Sequence, residues 1–243
     1  MNTRMRSHAA VAQCRAVNHV FRDDRATLVT ALREVDLDVH AGEAVALMGP
    51  SGAGKSTLLT LLAGLSRPTS GRVSVCGHEV SAMSERALLR MRARDVGVVL
   101  QTPGRNVLPY ASALQNVVFA HRRAGTGRRE RGDRARRLLE SVGLGEHAHR
   151  PARVLSGGQQ QRLAVAIALA GRPALLLADE PTSQLPRATG DAVVRLLLQA
   201  RDEYGAALLV VTHDARVGQA FDRSYHLADG VLHRQPPTGG GSP

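Results

Sequence analysis

The chain has 243 residues, enough for one large α/β domain with an attached subdomain and a sizeable core. Only 2% of it is aromatic and tryptophan is absent, so the core must be built from Leu, Val and Ala, and stacking platforms for nucleic-acid bases are hard to assemble. A formal charge of +11 admits an acidic partner, yet Glu130 and Asp133 interrupt the densest basic stretch, His121–Arg137, which is therefore not a simple basic tail. The two cysteines, Cys14 and Cys76, form no CxxC pair, which argues against a disulfide framework and fits a reduced compartment. The first residues lack an apolar signal-peptide region. The longest apolar run, "LAVAIALAG", is far shorter than the ~20 residues that span a bilayer. A soluble chain is expected, and any membrane role needs a partner.

Residues 1–12 read as a loose basic arm, and 234–243 as a flexible Pro/Gly/Ser-rich tail. Between them, strands are expected at "RAVNHVF" from Arg15, "EAVALM" from Glu43, "VGVVL" from Val96, "ALLLAD" from Ala174 and "ALLVVT" from Ala207. The last four are nearly continuous apolar runs, the pattern of strands buried on both faces. They alternate with helical patterns, which predicts a mostly parallel sheet flanked by helices. The stretch from Pro103 to Arg153 is Arg-rich and helical, and reads as an inserted subdomain.

"GPSGAGKST" follows the second strand and opens a helix, placing G-x-x-x-x-G-K-[ST] on Gly49, Gly54, Lys55 and Ser56. Gly49, Gly52 and Gly54 let the backbone turn tightly and aim N–H groups at phosphate oxygens. The positive end of the following helix faces the same anion. Lys55 is the single lysine in the sequence; every other one of the 32 basic residues is arginine. A compact ammonium fits inside such a loop, where a planar guanidinium fork is too wide. The loop as a whole, Gly49, Pro50, Ser51, Gly52, Ala53, Gly54, Lys55, Ser56 and Thr57, is the candidate ATP-phosphate site, with the Ser56 hydroxyl toward Mg²⁺. Asp179 ends the apolar run of "ALLLADEPTS", at the carboxyl end of a strand where ligands collect in such sheets, and is the candidate acid on the Mg²⁺ side. Glu180, pointing to the opposite side, is placed to polarise an attacking water.

Between these motifs lies "LSGGQQQR", Leu155–Arg162. With the glycine loop, Gln101, "LLLADE" and a late histidine in this order, the chain resembles the ATP-binding cassette ATPases over roughly residues 13–233. That resemblance implies an α/β P-loop NTPase with a mostly parallel core sheet, an N-terminal antiparallel β subdomain, and a helical subdomain over about 103–160. It implies that Phe21 stacks on adenine and that Gln101 reaches Mg²⁺ and the attacking water. It implies that Leu155, Ser156, Gly157, Gly158 and Gln159 contact ATP held by a second copy, and that His213 holds the γ-phosphate and Glu180. The catalytic set is then Glu180, His213 and Gln101, the metal set Ser56, Gln101 and Asp179, and the cofactors ATP and Mg²⁺. The partners are a second copy of the chain and a membrane permease at the cytoplasmic face of the cell membrane, with no nucleic acid. The spacing up to the glycine loop and "QTPGRNVLPYASALQNV" resemble the lipoprotein-release and macrolide-export ATPases, whose permeases carry large extracytoplasmic domains.

Three features depart from the family. "SQLP" replaces the usual "SALD", with Gln184 and Pro186; Ile167 stands where arginine is usual; Gln115 replaces a glutamate. A proline offers neither a side-chain acceptor nor a backbone N–H, so weakened coupling between two sites and slow turnover are expected. A slowly hydrolysing regulatory module and a nucleic-acid-linked ATPase are the alternative readings.

Overall fold

The computed structural model describes residues 10–22 and 27–235. Its strands form two sheets. In the first, β1 (Ala10–Arg22) lies between β2 (Leu28–His40) and β4 (Ser70–Val75), with β5 (His78–Glu79) at the edge, all antiparallel. Both long strands bend where one residue turns left-handed, at Ala16 (φ 46) and Glu34 (φ 45), and the β1–β2 register shifts between Cys14 and Val17. The bends keep Ala12, Cys14 and Val17 on the buried face while the strand curls over the core.

The second sheet runs β10-β9-β3-β8-β7-β6. Its members are β3 (Ala44–Met48), β6 (Val96–Val99), β7 (Leu175–Asp179), β8 (Ala207–Val211), β9 (Arg223–Ala228) and β10 (Val231–Arg234). Every neighbour is parallel except β10 on β9. β7 and β8 are buried along nearly their whole length, as their unbroken Leu/Val/Ala runs require. Each fully buried Leu or Val contributes about 1.5–3 kcal/mol. On one face, α1 (Lys55–Leu62) packs Leu58, Leu59, Leu61 and Leu62 between this sheet and the antiparallel one. On the other face, α5 (Gly157–Leu169) and α6 (Arg187–Tyr204) pack Val165, Leu169, Val193 and Leu197 against Leu176 and Val210.

The segment 103–160 contains α3 (Ala113–Arg123), α4 (Arg131–Ser141) and the start of α5. It has its own apolar cluster, in which Val117, Leu139 and Leu144 meet Leu163 of α5. Gln115 closes a capping box at the head of α3: its Oε1 accepts the Ser112 N–H at 2.8 Å while its own N–H donates to Ser112 Oγ. An amide serves this role as a carboxylate does, which explains why the sequence tolerates glutamine there. Ile167 is half-buried against the same cluster. The remaining α-helices among the described residues are α2 (Glu85–Arg94), capped by Ser84, and the short α7 (Ala215–Gln219).

All five expected strands are present. The antiparallel N-terminal sheet that the family resemblance implied is also present; β2, β4, β5, β9 and β10 were not picked out individually from the sequence. β1 starts at Ala10, inside the segment expected to be a loose arm: Ala12 is fully buried and pairs with Val75. At the other end β10 takes in Arg234. Residues 1–9 and 236–243, the rest of the two expected tails, lie outside the described residues. Among those described, no helix is long and apolar enough to cross a membrane.

Candidate nucleotide site

A concavity of about 560 Å³ opens at the carboxyl ends of β3 and β7, where open α/β sheets bind ligands. The loop after β3 forms its floor. Gly49, Gly52 and Gly54 all have positive φ (145, 80 and 101). Two of them are also required by contact. A Cβ on Gly49 would lie 2.0 Å from the Leu227 carbonyl oxygen, and one on Gly54 would lie 2.2 Å from that of Ala31. The tight turn is thus wedged between β9 and β2. Gly54 is also the residue that caps α1, and it has no side chain to occupy the helix's first amides. Those donors and the helix dipole point at the cleft, ready for an anion.

Lys55 is 8% exposed, and its Nζ donates to the carbonyls of Gly49 and Pro50 at 2.8 Å each. The ammonium therefore sits within the curl of its own loop. The Ser56 side chain and the Asp179 carboxylate face the same cleft, and Ser56 favours the ionised carboxylate. Burial pushes the Asp179 carboxyl above the ordinary carboxylate range. Ser56 opposes the shift, Glu180 adds to it, and Lys55 opposes it. A buried carboxylate beside a hydroxyl is a site that a divalent cation would relieve.

Glu180 does not continue the strand. β7 stops at Asp179, and Glu180 takes a left-handed conformation (φ 45), with its N–H donating to the Val211 carbonyl at 2.9 Å. Strain of this kind concentrates at functional positions. Its carboxylate meets His213 Nδ1, 2.9 Å from each oxygen. His213 is fixed from both sides. Thr212, fully buried, accepts the Asp214 N–H on Oγ1 at 3.0 Å, and Asp214 caps α7 by accepting the Arg216 N–H. Asp214 also pairs with the Arg216 side chain at 2.6 Å, which holds its carboxyl below the ordinary range. Gln101 lines the same cleft from the end of β6.

Phe21, at the end of β1, forms an exposed side wall, joined by Val29, Thr30 and Ala31 of β2. Nothing in the sequence singled out these three β2 residues. Thr212 and Asp214 were not anticipated either, although Asp before a short helical run is a cap signal. The cleft thus gathers Phe21, the glycine loop, Gln101, Asp179, Glu180 and His213. Leu155, Ser156, Gly157, Gly158 and Gln159 are not among its lining. They open α5 instead, and there the helix caps itself: Ser156 Oγ accepts the Gln159 N–H at 3.3 Å, and Gln159 Oε1 accepts the Ser156 N–H at 2.9 Å. Gln159 Nε2 also meets His147 Nε2 at 2.8 Å.

A glycine loop with open amides, a buried lysine, a Ser–Asp pair for a cation and a Glu–His pair fit a nucleotide triphosphate with its metal ion. Comparison with known proteins agrees. Residues 32–183 match the family model described as ABC transporter. The chain is 47% identical over 226 residues to "Lipoprotein-releasing system ATP-binding protein LolD 2" of Caulobacter vibrioides, covering 93% of this chain and 97% of that one. It is 44% identical over 203 residues to "Macrolide export ATP-binding/permease protein MacB" of Rhodopirellula baltica, covering 83% of this chain and 29% of that longer protein. Among solved structures, a dimer of the ATP-binding cassette MJ0796 in a post-hydrolysis state, bound to ADP and Pi, superposes with a TM-score of 0.85 at 34% identity, over 94% of this chain and 99% of that one. The cleft's geometry and these relatives together establish that the chain belongs to the ABC transporter family, as an ATP-binding and ATP-hydrolysing subunit.

Proposed function

We propose that this subunit works as a head-to-tail pair of identical copies at the cytoplasmic face of the membrane, driving a separate permease of the lipoprotein-release and macrolide-export type. The observation that carries the reading is the split between the two glycine turns. The cleft of one copy holds everything except the Leu155–Gln159 loop, and that loop lines no part of its own cleft. A second copy would bring it there. The dimeric relative and the names of the transport relatives support this arrangement.

Within the pair the residues divide the work. Gly49–Thr57 would cradle the phosphates through backbone amides. Lys55 would turn from the Gly49 and Pro50 carbonyls to the β- and γ-phosphates. Phe21 would stack on the adenine. Ser56, Asp179 and Gln101 would hold Mg²⁺, which supplies charge neutralisation on the phosphate oxygens. Glu180 would accept a proton from the attacking water. His213 would orient that carboxylate through Nδ1 and turn Nε2 toward the γ-phosphate. Leu155, Ser156, Gly157, Gly158 and Gln159 would close over the same phosphate from the other copy. Residues 13–233 would form the working unit, with 103–160 as the helical part that faces the permease.

Pro186 favours a second reading, a slowly hydrolysing regulatory module. It stands at the head of α6 with no side-chain cap, so it offers nothing to a neighbouring site. The test for both is Glu180→Gln with ATP. Removing the base lowers turnover by about 10²–10⁴-fold and should trap a dimer that co-purifies a polytopic membrane protein from native membranes. A chain that stays monomeric with ATP, or a trapped dimer that brings down no membrane protein, defeats the transport reading. Wild-type turnover that is slow even beside its membrane partner would favour the regulatory one.

A further inference from the structure

The arginine-rich stretch His121–Arg137 takes no part in the nucleotide cleft. The fold gives part of it another neighbour. His121 of α3 and Arg134 and Arg137 of α4 line a cavity of about 200 Å³ together with Arg172, from the turn between α5 and β7, and Glu203 and Tyr204, at the end of α6. That volume is below the roughly 300–1,000 Å³ of pockets for drug-sized ligands. It suits a small tetrahedral anion.

Three arginines and one glutamate line this cavity, with Arg134 half-buried and Arg137, Arg172 and Glu203 exposed. Arg134 is partly neutralised by Glu130 at 2.6 Å. Arg137 and Arg172 make no ion pair among the described residues; Arg172 lies only over the Tyr204 ring, 5.8 Å from its centroid. The buried His121 senses the excess. Burial lowers its basicity first and Arg134 next; the Ala170 backbone opposes the shift, and Arg172 and Arg131 add to it.

The backbone of Arg172 gives independent support. It is left-handed (φ 50), a conformation that glycine adopts freely and arginine only with strain. Gly171 beside it does not have a positive φ. A stability optimum would place glycine at 172. The chain instead keeps a long cationic side chain at a strained position, where it reaches the cavity. An observed outlier of this kind points to function.

We propose that this cavity binds a phosphate group, clasped by Arg134, Arg137 and Arg172, and so joins the helical segment to the end of α6. Guanidinium forks match phosphate oxygens bidentately. The group is either free inorganic phosphate or the phosphomonoester headgroup of a lipid such as phosphatidic acid, which present the same oxygens.

The test uses the full chain with its nucleotide cleft filled by a non-hydrolysable ATP analogue and Mg²⁺, so that the γ-phosphate position is occupied and the glycine loop cannot take the probe. Inorganic phosphate is titrated by calorimetry. In parallel, flotation is measured with phosphatidylcholine vesicles with and without phosphatidic acid. Arg172→Gly and Arg137→Ala should each weaken binding tenfold or more, while Arg128→Ala with Arg129→Ala, in the same stretch but outside the cavity, should leave it unchanged. Arg172→Gly should also raise the melting temperature, because it relieves the left-handed strain; a purely structural arginine would not lose ligand while gaining stability. Heat without flotation identifies free phosphate, and flotation dependent on phosphatidic acid identifies the lipid. Equal losses in the outside pair, or neither heat nor flotation in the wild type, would overturn the proposal.

Discussion

Two glycine turns open helices in this molecule, and they are finished in opposite ways. The turn before α1 ends on Gly54, which has no side chain to give, so the first amides of the helix remain open. The turn before α5 ends on Ser156, and a complete capping box with Gln159 satisfies its own donors. An uncapped N-terminus costs stability and gains affinity for an anion; a capped one reverses that exchange. The first turn can therefore seize phosphate within one chain. The second is stable alone and contributes only where a ligand is already held by another molecule. The difference between a primary site and a completing one is visible in two caps.

The comparison can be broken most severely at Gly54. Gly54→Ala would put a Cβ 2.2 Å from the Ala31 carbonyl in a left-handed residue. A cost of about 2–4 kcal/mol, seen as a lower melting temperature, and loss of ADP binding are expected by calorimetry. Next is Asp179→Asn. The folded pKa of Asp179 is raised, mainly by burial. Its contribution to stability is thus fully present below the ordinary carboxylate pKa and is lost as pH rises through the raised value. The asparagine variant should melt higher than the wild type at pH 7 without nucleotide, the gap should close in acid, and hydrolysis should fall by about 10²-fold or more. A wild type that melts higher at pH 7 would contradict the burial argument.

Ser156→Ala sharpens the contrast from the other side. Loss of the cap should cost about 1 kcal/mol, or a melting shift of roughly 2–4 °C. ADP affinity of the single chain should not move, because the loop lies outside its cleft, whereas ATP-driven pairing of Glu180→Gln chains should weaken. Weakened ADP binding would sink the division into primary and completing turns. The smallest effect is expected from Pro186→Asp. An aspartate at the head of α6 would supply the missing cap, worth up to about 1 kcal/mol, and should make hydrolysis more steeply cooperative in ATP.

Much of the cleft was legible because its chemistry is local. The glycine loop, Lys55 and Ser56 are contiguous, and Asp179 ends a run too apolar to be anything but a buried strand. The capped loop at Ser156 was legible as a glycine turn, but its isolation from the cleft depends on how α5 packs. The antiparallel sheet was anticipated only through the family resemblance; its strand pattern was mostly hidden. Left-handed residues at Ala16 and Glu34 break the two-residue alternation that marks a strand, and β2 mixes buried and exposed positions irregularly. Thr30 and Ala31 went unnoticed for that reason. The side wall of the cleft comes from a strand whose sequence pattern the bulges erase. Glu180 was found, but its left-handed turn was not, since nothing in "ADEPTS" forces a positive φ on a glutamate.

The placement of Lys55 gives the molecule an unusual reagent profile. Its single ε-amine is folded against the Gly49 and Pro50 carbonyls and almost hidden from solvent. Side-chain acylation by an amine-directed label can therefore occur only inside the phosphate loop. The extent of labelling at that one residue, read by mass, becomes a direct gauge of how often the loop opens and of whether a nucleotide is shielding it.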